Sequence, residues 1–112
     1  MAEFVKRGDI ITVSARGDYG KPRPGVIVQS DLISSIDSVL VALITSSLAY
    51  APLLRFTIEP NPDNKLKVRS QVMIDKILAF PRNKCGKVIG RLNNSELLAL
   101  DQLLSVIFGL AD

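Results

Sequence analysis

The chain contains no histidine and no tryptophan, and its only cysteine is Cys85. Without an imidazole, Ser-His-Asp arrangements, Cys-His pairs, HExxH zinc sites and two-histidine ribonuclease chemistry are excluded. One cysteine permits neither an intrachain disulfide nor a cysteine-rich zinc site. A thiolate nucleophile would need a base the chain lacks, so Cys85 reads as an ordinary loop or strand-edge residue. Aromatic residues make up 5% of the chain, too few for extensive base stacking. No apolar run reaches membrane-spanning length, and no Lys/Arg block forms a polybasic tail. Repeats, low-complexity segments and domain linkers are missing too. No cofactor and no metal site is expected.

What remains is a chain of 112 residues, 47% hydrophobic and 22% charged, enough for one core and one domain spanning residues 1–112. A formal net charge of +3 suits a polyanion or an acidic protein partner. No apolar stretch follows the charges of Met1 to Arg7, so a signal peptide is not expected. The expected state is soluble and cytoplasmic, away from membranes.

Along the chain, Gly8 to Ser14 is β-rich and opens on Gly-Asp. Gly25 to Gln29 and Val39 to Ile44 are nearly unbroken apolar runs, the pattern of strands buried on both faces. Leu53 to Glu59 alternates, with Leu54, Phe56 and Ile58 toward the core and Arg55, Thr57 and Glu59 outward. Pro60 to Asn64 is a turn. Arg69 to Asp75 is the next strand, with Ser70, Val72 and Ile74 on one face and Gln71, Met73 and Asp75 on the other. Ile77 to Phe80 continues it or begins another after a bend. Lys87 to Gly90 is a short strand. Asn93 then caps a helix, with Glu96 completing a near capping box. Leu97, Leu100, Leu104, Ile107 and Phe108 form its apolar stripe, and Gly109 stops it. Strands followed by one terminal helix give an α+β, mainly β fold, a small bent antiparallel barrel with the helix against it.

The stretch Lys21-Pro22-Arg23-Pro24-Gly25 is the first functional candidate. Two prolines fix φ on either side of one arginine and restrict the residue before each, so the guanidinium sits on a stiff segment. The preceding Arg16 to Gly20 carries two glycines and reads as a mobile loop. A rigid cation beside a flexible flap suits an anion; a solvated arginine on a prolyl loop is the structural alternative.

In order and spacing, these residues resemble the MazF/PemK-type toxins of bacterial toxin–antitoxin systems. The markers are Arg7-Gly8-Asp9-Ile10, Lys21-Pro22-Arg23-Pro24 with Val28-Gln29-Ser30-Asp31, and Leu43-Ile44-Thr45. Further on stand Pro52-Leu53-Leu54-Arg55, Ser70 to Ile77, and Ile89-Gly90-Arg91-Leu92. The resemblance implies an SH3-like five-stranded antiparallel barrel with a C-terminal helix, and a homodimer. It also implies metal-independent, sequence-specific cleavage of single-stranded RNA, mostly messenger RNA, neutralised by a cognate antitoxin. By the same resemblance the catalytic set is Arg23, Thr45 and Asp75. Tyr19, Lys21, Ser46, Ser70, Gln71 and Lys76 would contact RNA. The chain departs from relatives that carry Asp-Gln where Asp75-Lys76 stands and an arginine where Leu78 stands. Met73 replaces the arginine that one plasmid branch uses as its acid, and that branch's histidine is absent, so its acid–base assignment does not transfer.

RNA supplies its own nucleophile, the 2′-OH. With no imidazole, stabilisation of the phosphorane-like transition state by a guanidinium fork and a hydroxyl is the chemistry these residues offer. Arginine is a poor proton carrier at neutral pH, which leaves proton transfer to Asp75 or solvent. Structural alternatives stand beside each role. Thr45-Ser46-Ser47 can simply end a strand, Asp75 can pair with Lys76, Arg69 or a backbone amide, and Ser70 can be a structural hydroxyl. Gln71 either reads a base edge or faces solvent, and Tyr19 is the one stacking candidate. Two rival functions share the fold: a gyrase-poisoning toxin, whose branch carries a terminal tryptophan absent here, and a non-catalytic module that binds RNA or antitoxin.

Overall fold

The computed structural model describes residues 5–14, 21–33 and 36–112. Strands β1 (Asp9–Ser14), β2 (Pro22–Ile27), β3 (Ser38–Thr45), β4 (Arg55–Ile58), β5 (Ser70–Pro81) and β6 (Cys85–Arg91) precede helix α1 (Asn94–Ile107). All pairings are antiparallel, in the order β4-β5-β3-β2-β1-β6. The fold is mainly β with one C-terminal helix, as expected. There are six strands among the described residues, and the edge strands β4 and β6 are not ladder neighbours, so the sheet curls without closing. The gap is bridged instead by the turn after β4, where the Arg91 amide donates to the Asp63 carbonyl at 2.9 Å.

The apolar runs are buried on both faces. Ile10, Val26, Ala42, Ile44, Ile58, Val72 and Ile74 form one core with Leu92 and Leu100. Ile11, Val13, Ile27, Val39, Val41 and Phe80 form a second on the opposite faces of the same central strands. Helix α1 lies over the first. Leu100 is fully buried, and Leu97, Leu103, Leu104 and Ile107 pack partly against it. The capping box is complete: the Asn93 side chain accepts from the Glu96 amide and Glu96 accepts from the Asn93 amide, both at 2.8 Å.

Two sequence expectations shift, and one open alternative is decided. Phe108 belongs to the stripe by spacing but is largely exposed, because the helix ends at Ile107 and Phe108 is its C-cap. Gly109, at φ +73°, turns the chain away, with its amide bonded to Val106 and that of Leu110 to Ser105, a Schellman closure. Leu54 is exposed, because β4 begins one residue later and Leu54 lies in the preceding turn. Residues 70–81 form one strand bent by a bulge. Ala42 faces Ile77 while Ile44 faces Val72, so residues 73–76 oppose Leu43 alone.

The Arg7-Gly8-Asp9 marker is structural. The Arg7 Nη2 reaches Asp101 of α1 at 2.6 Å and its Nε donates to the Val28 carbonyl. Asp9, buried, accepts from the Lys6 amide. Gln29 and Asp31 of the second marker bond to backbone groups of Ile33, Leu40 and Arg7.

Candidate active site

The site is set by where the β2–β3 ladder stops. In an antiparallel strand the N–H and C=O of one residue point to the same neighbour, and successive residues alternate. The Val28 amide donates to Leu40 beside β3, whereas the Ile27 carbonyl accepts from Gly8 on the β1 side. Even-numbered positions of β2 therefore face β3. Pro22 and Pro24 fall on that side and have no N–H to give. Accordingly β2 stays paired with β1 as far as Ser14↔Pro22, while its pairing with β3 ends at Gly25↔Leu43. Continued two residues further, that register sets Arg23 opposite Thr45. The prolines thus end the β2–β3 ladder where its continued register sets an arginine opposite a threonine.

Both residues lie on the face of the second core. Arg23 shares strand parity with Ile27, and Thr45 with Val41, and Ile27 and Val41 are direct cross-strand partners. Thr45 in turn faces Gln71, and Gln71 faces Thr57. A polar row, Thr57-Gln71-Thr45-Arg23, crosses four strands at the end of an otherwise apolar face. Arg23, Lys21 and Ser46 are exposed; Thr45 is half-buried. The Thr45 Oγ accepts from the Ser47 amide at 3.0 Å, which directs the hydroxyl proton away from that neighbour.

The remaining candidates separate. Asp75 and Lys76 occupy the β5 bulge opposite Leu43, exposed and without a hydrogen bond or ion pair to the described residues. The alternative pairing of Asp75 with Arg69 is not made, since Arg69 binds Glu59 at 2.8 Å. Ser70 is buried, its hydroxyl donating to the Val68 carbonyl. Tyr19 lies outside the described residues.

Gln71 faces neither solvent nor an open groove. Its amide is buried under residues 46–54 and is fully engaged. The Oε1 accepts from the Ala49 amide and from Arg55 Nη1, both at 3.0 Å, while Nε2 donates to the Ala49 carbonyl and the Thr57 hydroxyl. Arg55 Nη1 also donates to the Ser47 carbonyl. Sequence reasoning placed Arg55 on an outward face and missed this fastening. The loop it holds carries Tyr50, which is 96% exposed. The only sequence signal for that residue was a tyrosine between two alanines ahead of a proline.

Cys85 opens β6 and packs on the second core. Burial pushes its thiol up from the ordinary value, and the Arg82 charge offsets part of that. It is not poised as a nucleophile. Among the described residues no group of three His, Cys, Asp or Glu side chains is placed to hold a metal ion. No helix among them is long and apolar enough to cross a membrane.

Residues 6–108 match the family model described as PemK-like, MazF-like toxin of type II toxin–antitoxin systems. The chain is 44% identical over 108 residues to a probable endoribonuclease MazF of Mycolicibacterium smegmatis, covering 96% of this chain and 99% of that protein. Its fold is similar to that of the Mycobacterium tuberculosis toxin MazF-mt6, with a TM-score of 0.77 at 24% identity over 90% and 96% of the two chains. It is similar also to a mycobacterial endoribonuclease solved with its cognate antitoxin, with a TM-score of 0.78 at 18% identity over 96% and 97%.

Proposed function

We propose, from the premise that the chain belongs to the PemK-like, MazF-like toxin family, that it is an endoribonuclease toxin cutting single-stranded RNA through the 2′-OH. What supports the assignment of residues is the end of the β2–β3 ladder, where the register continued by two residues sets Arg23 opposite Thr45. A bent phosphodiester seated there receives two parallel N–H bonds from the guanidinium on its non-bridging oxygens. Thr45, with its oxygen already accepting from Ser47, donates its proton as a third. These donors strengthen as the 2′-oxygen attacks phosphorus and negative charge gathers on the equatorial oxygens. The 5′-oxygen of the following nucleotide leaves, taking a proton from solvent to become a 5′-hydroxyl, and a 2′,3′-cyclic phosphate remains. Asp75 or solvent takes the 2′-OH proton, and the reaction needs no metal.

The finer reading is a short sequence-specific cut in messenger RNA that stops translation and growth. A cognate antitoxin neutralises it, and the active form is a cytoplasmic homodimer. The test is an Arg23→Ala variant with the circular dichroism spectrum of the parent, assayed on single-stranded RNA. We expect kcat to fall about 10²- to 10³-fold, the size seen when one preorganised donor to a developing oxyanion is removed. Cleavage at the parent rate removes Arg23 from the mechanism. Activity abolished by chelator and restored by a divalent ion overturns the metal-free account. Incubation with RNA alone, without gyrase, separates the nuclease from the gyrase-directed rival. RNA retained without new ends points to the binding module.

A further inference from the structure

We propose that Tyr50 is a base-stacking platform beside the scissile phosphate, with Gln71 as the positioning residue that presents it; the inference rests on the nuclease reading above. Tyr50 is the most exposed large hydrophobic residue described, at 96%. It projects from backbone pinned on both sides. The preceding residue, Ala49, is held through both its N–H and its C=O by the Gln71 amide. The following residue, Ala51, accepts from the Leu54 and Arg55 amides, both at 2.9 Å. The loop is therefore preformed, and only the two torsions of the tyrosine side chain are left to order on binding.

Its place in the fold selects the occupant. Gln71 is the direct cross-strand partner of Thr45. The residue that Gln71 clamps is thus brought beside the hydroxyl placed on the phosphate, and Tyr50 is next in the chain. Residues 46–54 carry no charge, so nothing on the loop repels a polyanion. Leu48, Leu53 and Leu54 are exposed on the same loop and add apolar surface to it. A flat π face in that setting, adjoining a phosphate site, takes a nucleobase, and does so with little demand on which base. Gln71 cannot read a base edge itself, because every hydrogen-bonding group of its amide is spent inside the protein.

The experiment uses the whole chain and two probes. One is a random-sequence single-stranded RNA pool, for cleavage. The other is the same pool 2′-O-methylated, which cannot be cut through the 2′-oxygen and so reports binding alone. Tyr50→Ala is expected to raise KM and weaken binding by roughly tenfold to a hundredfold, the loss of one base–aromatic stack, with kcat and melting temperature little changed. Tyr50→Phe, which keeps the ring, restores both. Gln71→Glu keeps the shape but loses the donor to Ala49 and Thr57, and raises KM in the same direction. If the parent cleaves and Tyr50→Ala has its KM and its affinity, the platform is wrong and the nuclease reading stands. A lower particle mass for Tyr50→Ala in light scattering assigns the ring to a subunit contact and overturns the proposal. A loss confined to antitoxin capture overturns it as well. A parent that neither binds nor cuts RNA overturns both readings.

Discussion

A threonine hydroxyl has one proton to donate, and its surroundings decide where that proton goes. At Thr45 the oxygen is already an acceptor for the Ser47 amide, so the proton is directed away from that neighbour and is left to a further acceptor. Thr45→Val keeps the shape and removes the donor. Cleavage by that variant is expected to slow by about 10²-fold in kcat, with Thr45→Ser close to the parent, as measured on a fixed RNA substrate. Cys85 illustrates the opposite situation, a reactive group whose packing suppresses its reactivity. Because burial raises its thiol pKa, the thiolate fraction at neutral pH is smaller in the folded chain than in the unfolded one. Alkylation at pH 7.5 is therefore expected to be slower in buffer than in denaturant, and to accelerate as the pH rises into the alkaline range. A native rate equal to the denatured one contradicts that burial. The absence of histidine already ruled out a cysteine protease-like pair. How far the thiol is buried depends on the second core and on Val13, its cross-strand partner far away in the chain.

At the scale of elements, the ends of α1 were legible because capping is local. Asn93 and Glu96 lie three residues apart, and Gly109 adopts the left-handed conformation that closes a helix. The limits of β2 were less legible. Apolar patterning starts that strand at Gly25, but pairing to β1 extends it back through both prolines, which a strand tolerates where the side lacking N–H has no partner. The turn after β4 shows how one element sets another's sequence. Asn64 is fully buried there, its Oδ1 accepting from the amides of Asn61 and Leu66. Gly90 of β6 passes so close that an added Cβ would overlap the Asn64 carbonyl. Gly90→Ala is therefore expected to cost about 1–3 kcal/mol, the price of overpacking against backbone. Urea melts should show a lower midpoint at unchanged slope. An unchanged midpoint means that the turn moves aside freely.

For the whole molecule, the pH profile follows from composition. With no imidazole, no side chain of ordinary pKa titrates near pH 6.5. Between pH 6 and 8, kcat/KM on RNA is expected to be flat, in contrast to the bell of a two-histidine ribonuclease. A clear inflection in that window contradicts a mechanism resting on guanidinium and hydroxyl. The mainly β fold with one terminal helix was legible too, since strand alternation and helical periodicity survive in single segments. The open sheet of six strands was not. Whether β4 meets β6 depends on how the Asn61–Asn64 turn seats against β6, a contact between segments some 25 residues apart.

By itself, the sequence determined which chemistry was open to the chain, the faces of most strands and the capping residues of the helix. These depend on residue type and on neighbours within a turn or two. Only the tertiary structure decided which residues meet. The β2–β3 register, continued by two residues, sets Arg23 opposite Thr45, and side-chain bonding brings Gln71 under Ala49, each pair 22 residues apart. No local pattern encodes that separation, because each strand's alternation is satisfied by any register shifted by two. The same bonding put Gln71 beneath a loop rather than in solvent, and left Tyr50 outside it.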